Sequence, residues 1–240
     1  MSYLFNTFLY QPVINILVLL YNTVAFGDLG VAIIILTLIV RFALSPMYHK
    51  MLRQQALVQK MRPEMQKIQA DYKDDREQQT KLLMELYKKY KVNPFYTFLV
   101  LLIQLPVLFA LFRAFTNGLN GNISGILYSF VGDPGSFNPI FLGIMNLNER
   151  NIPLIVLTAV TQFFQARLSS SINKTPADQK MPMPSGNTMG IFLSLFTVFI
   201  LWNLPAAVGL YWLTTTVFSI GQQLICNKSI KDGESKGDNK

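Results

Sequence analysis

The sequence predicts an all-α polytopic membrane protein with five core transmembrane helices, a cytoplasmic helical hairpin and an N-terminal interfacial helix. Three observations predict it. Charged residues are 14% of the 240 and hydrophobic residues 51%, whereas an ordinary soluble domain carries about 25% charged residues. The charges are missing from long runs at Leu29–Val40, Val92–Phe112, Asn151–Ala166 and Met181–Asn227. The lysines and arginines collect instead in three segments. A single cysteine, Cys226, and a single histidine, His49, leave no disulfide framework, no Cys-based zinc site and little for acid–base chemistry.

The elements follow from the charge-free runs, since a spanning helix needs about 20 mostly apolar residues. Residues 1–27 contain no charge. Asn15 and Asn22 flank a short apolar core there, so this segment is read as a helix lying in the outer interface. Its alternative is a sixth span with the N-terminus inside. The first core span is expected at 28–47, the second at 93–115 and the third at 151–169. The run Met181–Asn227 holds 47 residues, enough for two more spans, at 187–203 and 206–226. Asn203-Leu204-Pro205 separates them, because Pro resists a helix interior and disfavours helix in the residue before it.

Basic residues set the orientation. Segment 47–91 carries eleven of the 21 lysines and arginines. Segment 167–180 adds Arg167, Lys174 and Lys180, and the tail adds Lys228, Lys231, Lys236 and Lys240. With five spans these segments share one side. The other side has Arg113 and Arg150. By the positive-inside rule the N-terminus and the loop 116–150 are outside. The hairpin 48–92, the loop 170–186 and the tail 227–240 are then cytoplasmic.

The segment 48–92 is amphipathic rather than a simple loop. Met61, Met65, Ile68 and Tyr72 recur at helical spacing, as do Leu82, Leu83, Leu86, Tyr87 and Tyr90 after the break at Lys73-Asp74-Asp75. Two helices in an antiparallel hairpin satisfy both stripes, with Pro63 expected to kink the first or restart it. Met47, Met51, Met61, Met65 and Met84 make the segment methionine-rich, which suits either packing of the hairpin or promiscuous apolar partners. Acidic residues interleave with the basic ones, which argues against direct nucleic-acid recognition.

Arg41 is the most informative residue. It lies thirteen residues after Asp28, roughly 20 Å along a helix, too far to pair with it. A charge in hydrocarbon costs at least about 2.5–3.5 kcal/mol on insertion scales. Arg41 therefore needs water, polar neighbours, lipid phosphate or an acid from another molecule. Thr37, Arg41 and Ser45 share one helix face. Gln104, Gln162 and Gln165 lie in the second and third spans, and Thr215, Ser219, Gln222 and Gln223 form a stripe in the fifth. Each stripe alone suits interhelical hydrogen bonding. Together with Arg41 they suggest a shared polar groove. No acidic residue falls in the groove, and no HExxH, GxSxG or P-loop pattern occurs, so neither an enzyme, a cofactor nor a metal is expected.

Several segments carry a family resemblance. They are Ile34–Pro46 (IILTLIVRFALSP), Met61–Gln69 (MRPEMQKIQ), Leu86–Pro94 (LYKKYKVNP), Leu102–Pro106 (LIQLP), Pro205–Trp212 (PAAVGLYW) and Gly221–Ile225 (GQQLI). In this order the chain resembles the YidC-type membrane protein insertases of the bacterial plasma membrane, in a short form without a large outer domain or lipoprotein signal. The resemblance implies five core spans around a groove open to cytoplasm and lipid. It matches Arg41 to the family's groove arginine, Thr37 to a substrate-contacting threonine, and Tyr211 or Trp212 to an outer aromatic. The implied partners are nascent membrane proteins, ribosome–nascent chain complexes, the Sec translocon and the lipid bilayer. The basic tail is short, which weakens the expectation of independent ribosome binding. The rival reading is a small transporter or channel for an anionic solute.

Overall fold

A computed structural model describes residues 3–93, 106–117, 123–170 and 186–237. Most of them are helical. Helix α1 covers Tyr3–Asn22, α2 Leu29–Asp71 and α3 Arg76–Lys89. Helix α4 covers 106–117, α5 Ile152–Ser170, α6 Gly186–Leu201 and α7 Ala206–Gly237. A two-stranded antiparallel hairpin, β1 (Ile140–Phe141) and β2 (Met145–Asn146), lies in the segment between α4 and α5. Gln104 and the sequence-predicted span and loop residues at 94–105 and 171–185 lie outside the described residues.

Helix α1 is held along its whole length by the α4–α5 segment and the end of α4. Pro12 supplies no N–H, and the turn just before it, Asn6–Tyr10, is π-wound. Near this end the Arg113 guanidinium donates to Asn6 at 2.9 Å and lies over the Tyr10 ring at 4.5 Å. Buried Asn15 is fully engaged: its amide donates to the Gln11 and Ile126 carbonyls, and its oxygen accepts from Tyr128 N–H at 2.6 Å. At the far end Tyr21 accepts from Asn138 N–H and Asn22 donates to the Gly132 carbonyl. Ile14, Leu17 and Val18 bury fully against the core.

Helix α2 is a single run of 43 residues through Pro46 and Pro63. At about 1.5 Å per residue it is roughly 65 Å long, against about 40–45 Å for a whole bilayer. It therefore serves as both a span and the first arm of the hairpin. Asp28 caps its start, accepting from Val31 N–H at 3.0 Å. Asp75 caps α3 in the same way, and Lys88 and Lys89 complement its C-terminal dipole. The hairpin has its own small apolar seam, separate from the main core: Met61, Leu86 and Val92, flanked by Leu57, Val58, Met65 and Ile68. Glu64 joins the two arms, accepting from Tyr90 and from Lys89, the latter at 2.9 Å. These hydrogen bonds, from Tyr90 first and then Lys89, hold the Glu64 carboxyl below its ordinary range.

Helices α2, α5 and α7 run in the same direction. Phe42 meets Phe218 edge-on, and Ser45 bonds Gln222 further along both helices. Leu154 packs on Gly209, and Gln162 bonds Trp212. Their starts are gathered by one segment. Asp28 accepts from Leu142 N–H at 2.7 Å, Ala206 N–H donates to Glu149 at 2.8 Å, and Ala207 N–H donates to Leu147 at 3.0 Å. Asn151 caps α5 through Leu154 N–H. This end of the bundle is closed by fully buried Leu147, Ala207 and Leu29.

Gly30 makes that closure possible. A Cβ built there would overlap the Phe141 ring of β1. Gly30→Ala is expected to destabilise the protein by about 1–3 kcal/mol, the usual cost of overpacking. Gly221→Ala on α7, where a Cβ meets nothing within 4 Å, should be neutral or stabilising by up to about 1 kcal/mol through helix propensity. Thermal unfolding in detergent checks the pair. Equal stability of the two variants would mean that Phe141 does not close the bundle.

Candidate functional site

The polar stripes converge between α2, α5 and α7. Arg41 is only 5% exposed although charged. Its guanidinium carbon lies 4.5 Å from the centre of the Tyr48 ring, a cation–π contact worth roughly 0.5–2 kcal/mol. Tyr211, on α7, also lies within its electrostatic reach. Arg41 Nη1 is a buried donor, Gln222 Oε1 a buried acceptor and Thr215 Oγ1 a buried hydroxyl, each with no hydrogen-bond partner among the described residues. A buried charge with an unused donor is costly unless something completes its shell.

Below Arg41, toward the hairpin, a cavity of about 80 Å³ is lined by Tyr48, Met51, Leu52, Gln55, Gln165, Ser219, Gln222 and Gln223. It is large enough for a few waters or part of a side chain. Ser45 accepts from Gln222 at 3.0 Å, joining α2 to α7 at this level. Ser219 donates to the Thr215 carbonyl, and Gln223 donates to Asn227. Tyr48 belongs to both features, since it carries Arg41 on its face and also lines the cavity.

The sequence-predicted residues divide into three groups. Gln165 and Ser219 line the cavity. Arg41, Ser45, Thr215 and Tyr211 lie on the facing stripes of α2 and α7 next to it. Thr37, Gln162 and Trp212 are engaged elsewhere. Thr37 is buried and donates to its own helix at Ile33, 2.6 Å away. Gln162 accepts from both Thr197 at 2.7 Å and Trp212 at 3.0 Å, which fastens α5, α6 and α7 together. Tyr48 and Gln55 were not singled out from the sequence. The signal was available: residues 41, 48 and 55 are spaced by seven, so they stay within about 20° per step on one helix face.

Comparison with known proteins follows the same segments. Residues 20–234 match the 60Kd inner membrane protein family. A membrane protein insertase YidC from Clostridium tetani is 34% identical over 199 residues, which cover 83% of this chain and 81% of that protein. The chain belongs to the YidC-type family of inner membrane proteins. A YidC insertase from Pelobacter propionicus is 33% identical over 94% of this chain, and one from Geobacter sulfurreducens 31% identical over 94%. The chain spans only 40% and 38% of the length of those two relatives. The helical architecture is thus that of a YidC-type membrane protein. Among the described residues, Tyr3–Asn22 and Leu29–Val58 are long and apolar enough to cross a bilayer, and Ile152–Leu168 is apolar but shorter. For a YidC-type chain the buried, incompletely bonded Arg41 sits inside the bundle rather than on its aqueous surface.

Proposed function

We propose that the chain inserts nascent membrane proteins into the bacterial inner membrane, without a nucleotide and without a catalytic residue. The observation that carries this reading is Arg41, buried at 5% exposure with Nη1 unused, above a polar cavity on the hairpin side. An acidic residue in a substrate's short N-terminal tail would complete its shell. Polar groups of α2 and α7 would lower the cost of bringing the tail partway across. The apolar part of the substrate would then pass to lipid, driven by about 0.8 kcal/mol per buried CH₂. Family membership supports the reading, as do the relatives' names. Ribosome–nascent chain complexes and the Sec translocon are the proposed upstream partners.

In this proposal five spans cross the membrane and α1 lies on its outer face. Support comes from contacts at both ends and the middle of α1 with Arg113 and residues 126–138. A single segment between spans then meets the whole helix. Cysteines placed at Ser2 and Ser235 should react differently with an impermeant reagent added outside. Only the first should be modified, and modification of the second would defeat the topology.

The function is tested by photocrosslinking from position 219, inside the cavity, to ribosome-stalled membrane proteins with acidic tails. Adducts are expected with these chains and not with stalled soluble ones. Equal adducts with both, or none, would remove the insertase reading.

A further inference from the structure

The corner between α1 and α2 exposes large apolar side chains where a water-facing turn would carry small polar ones. Phe26 is 95% exposed, Leu142 62% and Ile144 84%. Two of the three sit in the left-handed backbone region, with φ of 51° at Phe26 and 48° at Leu142, each followed by a glycine at positive φ. Leu142-Gly143 forms the centre of a turn closed by Ile144 N–H donating to the Phe141 carbonyl at 3.0 Å. Two successive positive φ values in such a turn favour Asn-Gly or Asp-Gly, because a Cβ is strained there and a short polar side chain relieves it. A leucine at that position, and a phenylalanine in the same conformation at the corner, bring strain that no contact of their exposed side chains offsets.

Asp28 ties these residues together at a defined depth. Its Oδ1 caps α2 through Val31 N–H, and its Oδ2 accepts from Leu142 N–H at 2.7 Å. The hydrophobic span starts at the next residue, Leu29. The three exposed side chains therefore stand at the level where α2 enters the bilayer. This is the end of the bundle opposite the hairpin.

We propose that Phe26, Leu142 and Ile144 form a lipid anchor that seats this corner in the headgroup–acyl boundary of the leaflet opposite the hairpin. Apolar side chains on a rigid turn bind that boundary by burying area in the acyl region. The Asp28 clamp transmits the seat to α2. Arg41, twelve residues beyond Leu29, is thereby fixed roughly 18 Å further into the membrane. Trp202 at the end of α6, with Arg150 over its ring at 4.3 Å, is a second aromatic group at an interface, as membrane proteins place tryptophan.

Nitroxide labels on the full chain in phosphatidylglycerol–phosphatidylethanolamine vesicles test the anchor. Single cysteines at Phe26, Ile144, Val156 and Ser136 are introduced one at a time on a Cys226→Ser background. Val156, on the exposed face of α5, reports lipid, and exposed Ser136 reports water. Labels at 26 and 144 are expected to collide with oxygen in preference to a water-soluble nickel chelate, as at 156. The label at 136 should show the reverse preference. Nickel preferred at either 26 or 144 overturns the proposal. All four sites are on the surface, so the labels report on a folded protein, and retention of the Val156 oxygen preference verifies that it is inserted.

Discussion

Arg41→Ala is expected to reduce insertion of substrates with acidic N-terminal tails about ten- to hundredfold. That range corresponds to losing a hydrogen bond to a charged group, about 1.5–3 kcal/mol. Substrates whose tails lack acids should suffer much less. The basis is the free Nη1 on a guanidinium buried beside Tyr48, with no carboxylate among the residues lining the adjoining cavity. Arg41→Lys should keep much of the activity. An ammonium retains the point charge and the cation–π contact, although it loses the planar fork. If Arg41 were only a tolerated structural charge, Arg41→Ala would remove a desolvation cost and leave insertion intact. A reconstituted insertion assay on paired substrates, with and without tail acids, separates the two. Equal loss on both would remove the charge-attraction mechanism while leaving the family membership untouched.

Deleting 60–90 is expected to leave a protein that enters the membrane normally but inserts its substrates severalfold more slowly. The hairpin has its own seam around Met61, Leu86 and Val92, apart from the main core. Its loss therefore removes few contacts from the bundle. The deletion spares Gln55, which lines the cavity, and Gln54, whose oxygen accepts from Asn93 N–H at 3.1 Å. What it removes is the exposed, mixed-charge surface around Met84, which we propose receives substrates. Unchanged insertion rates would sink that recruiting role. A deletion protein that no longer reaches the membrane would show instead that the hairpin is needed for the bundle to fold.

Composition and pattern alone determined the all-α membrane class. Four charge-free runs in a chain with only 14% charged residues exceed what a soluble domain of this size carries, and the clustering of basic residues between them sets which loops share a side. The ordered set of short motifs pointed to the family, to which the chain belongs by its match over residues 20–234. Arg41 stood out for an equally local reason, as a charge in a run that otherwise excludes charge. Sequence left open which polar residues serve the cleft, because an amphipathic stripe does not say what it faces.

The tertiary structure decided that division. It turns Gln162 and Trp212 toward each other and Thr197 as a fastening between walls, and it bonds Thr37 back to its own helix. It brings Tyr48 and Gln55 into the cleft instead. It also makes α2 one continuous helix through Pro46 and Pro63, although proline disfavours a helix interior by about 3 kcal/mol. The apolar face of the long helix is buried against α7 on one stretch and against α3 on the next. That burial is a sum over many distant residues, which is why no local pattern could display it.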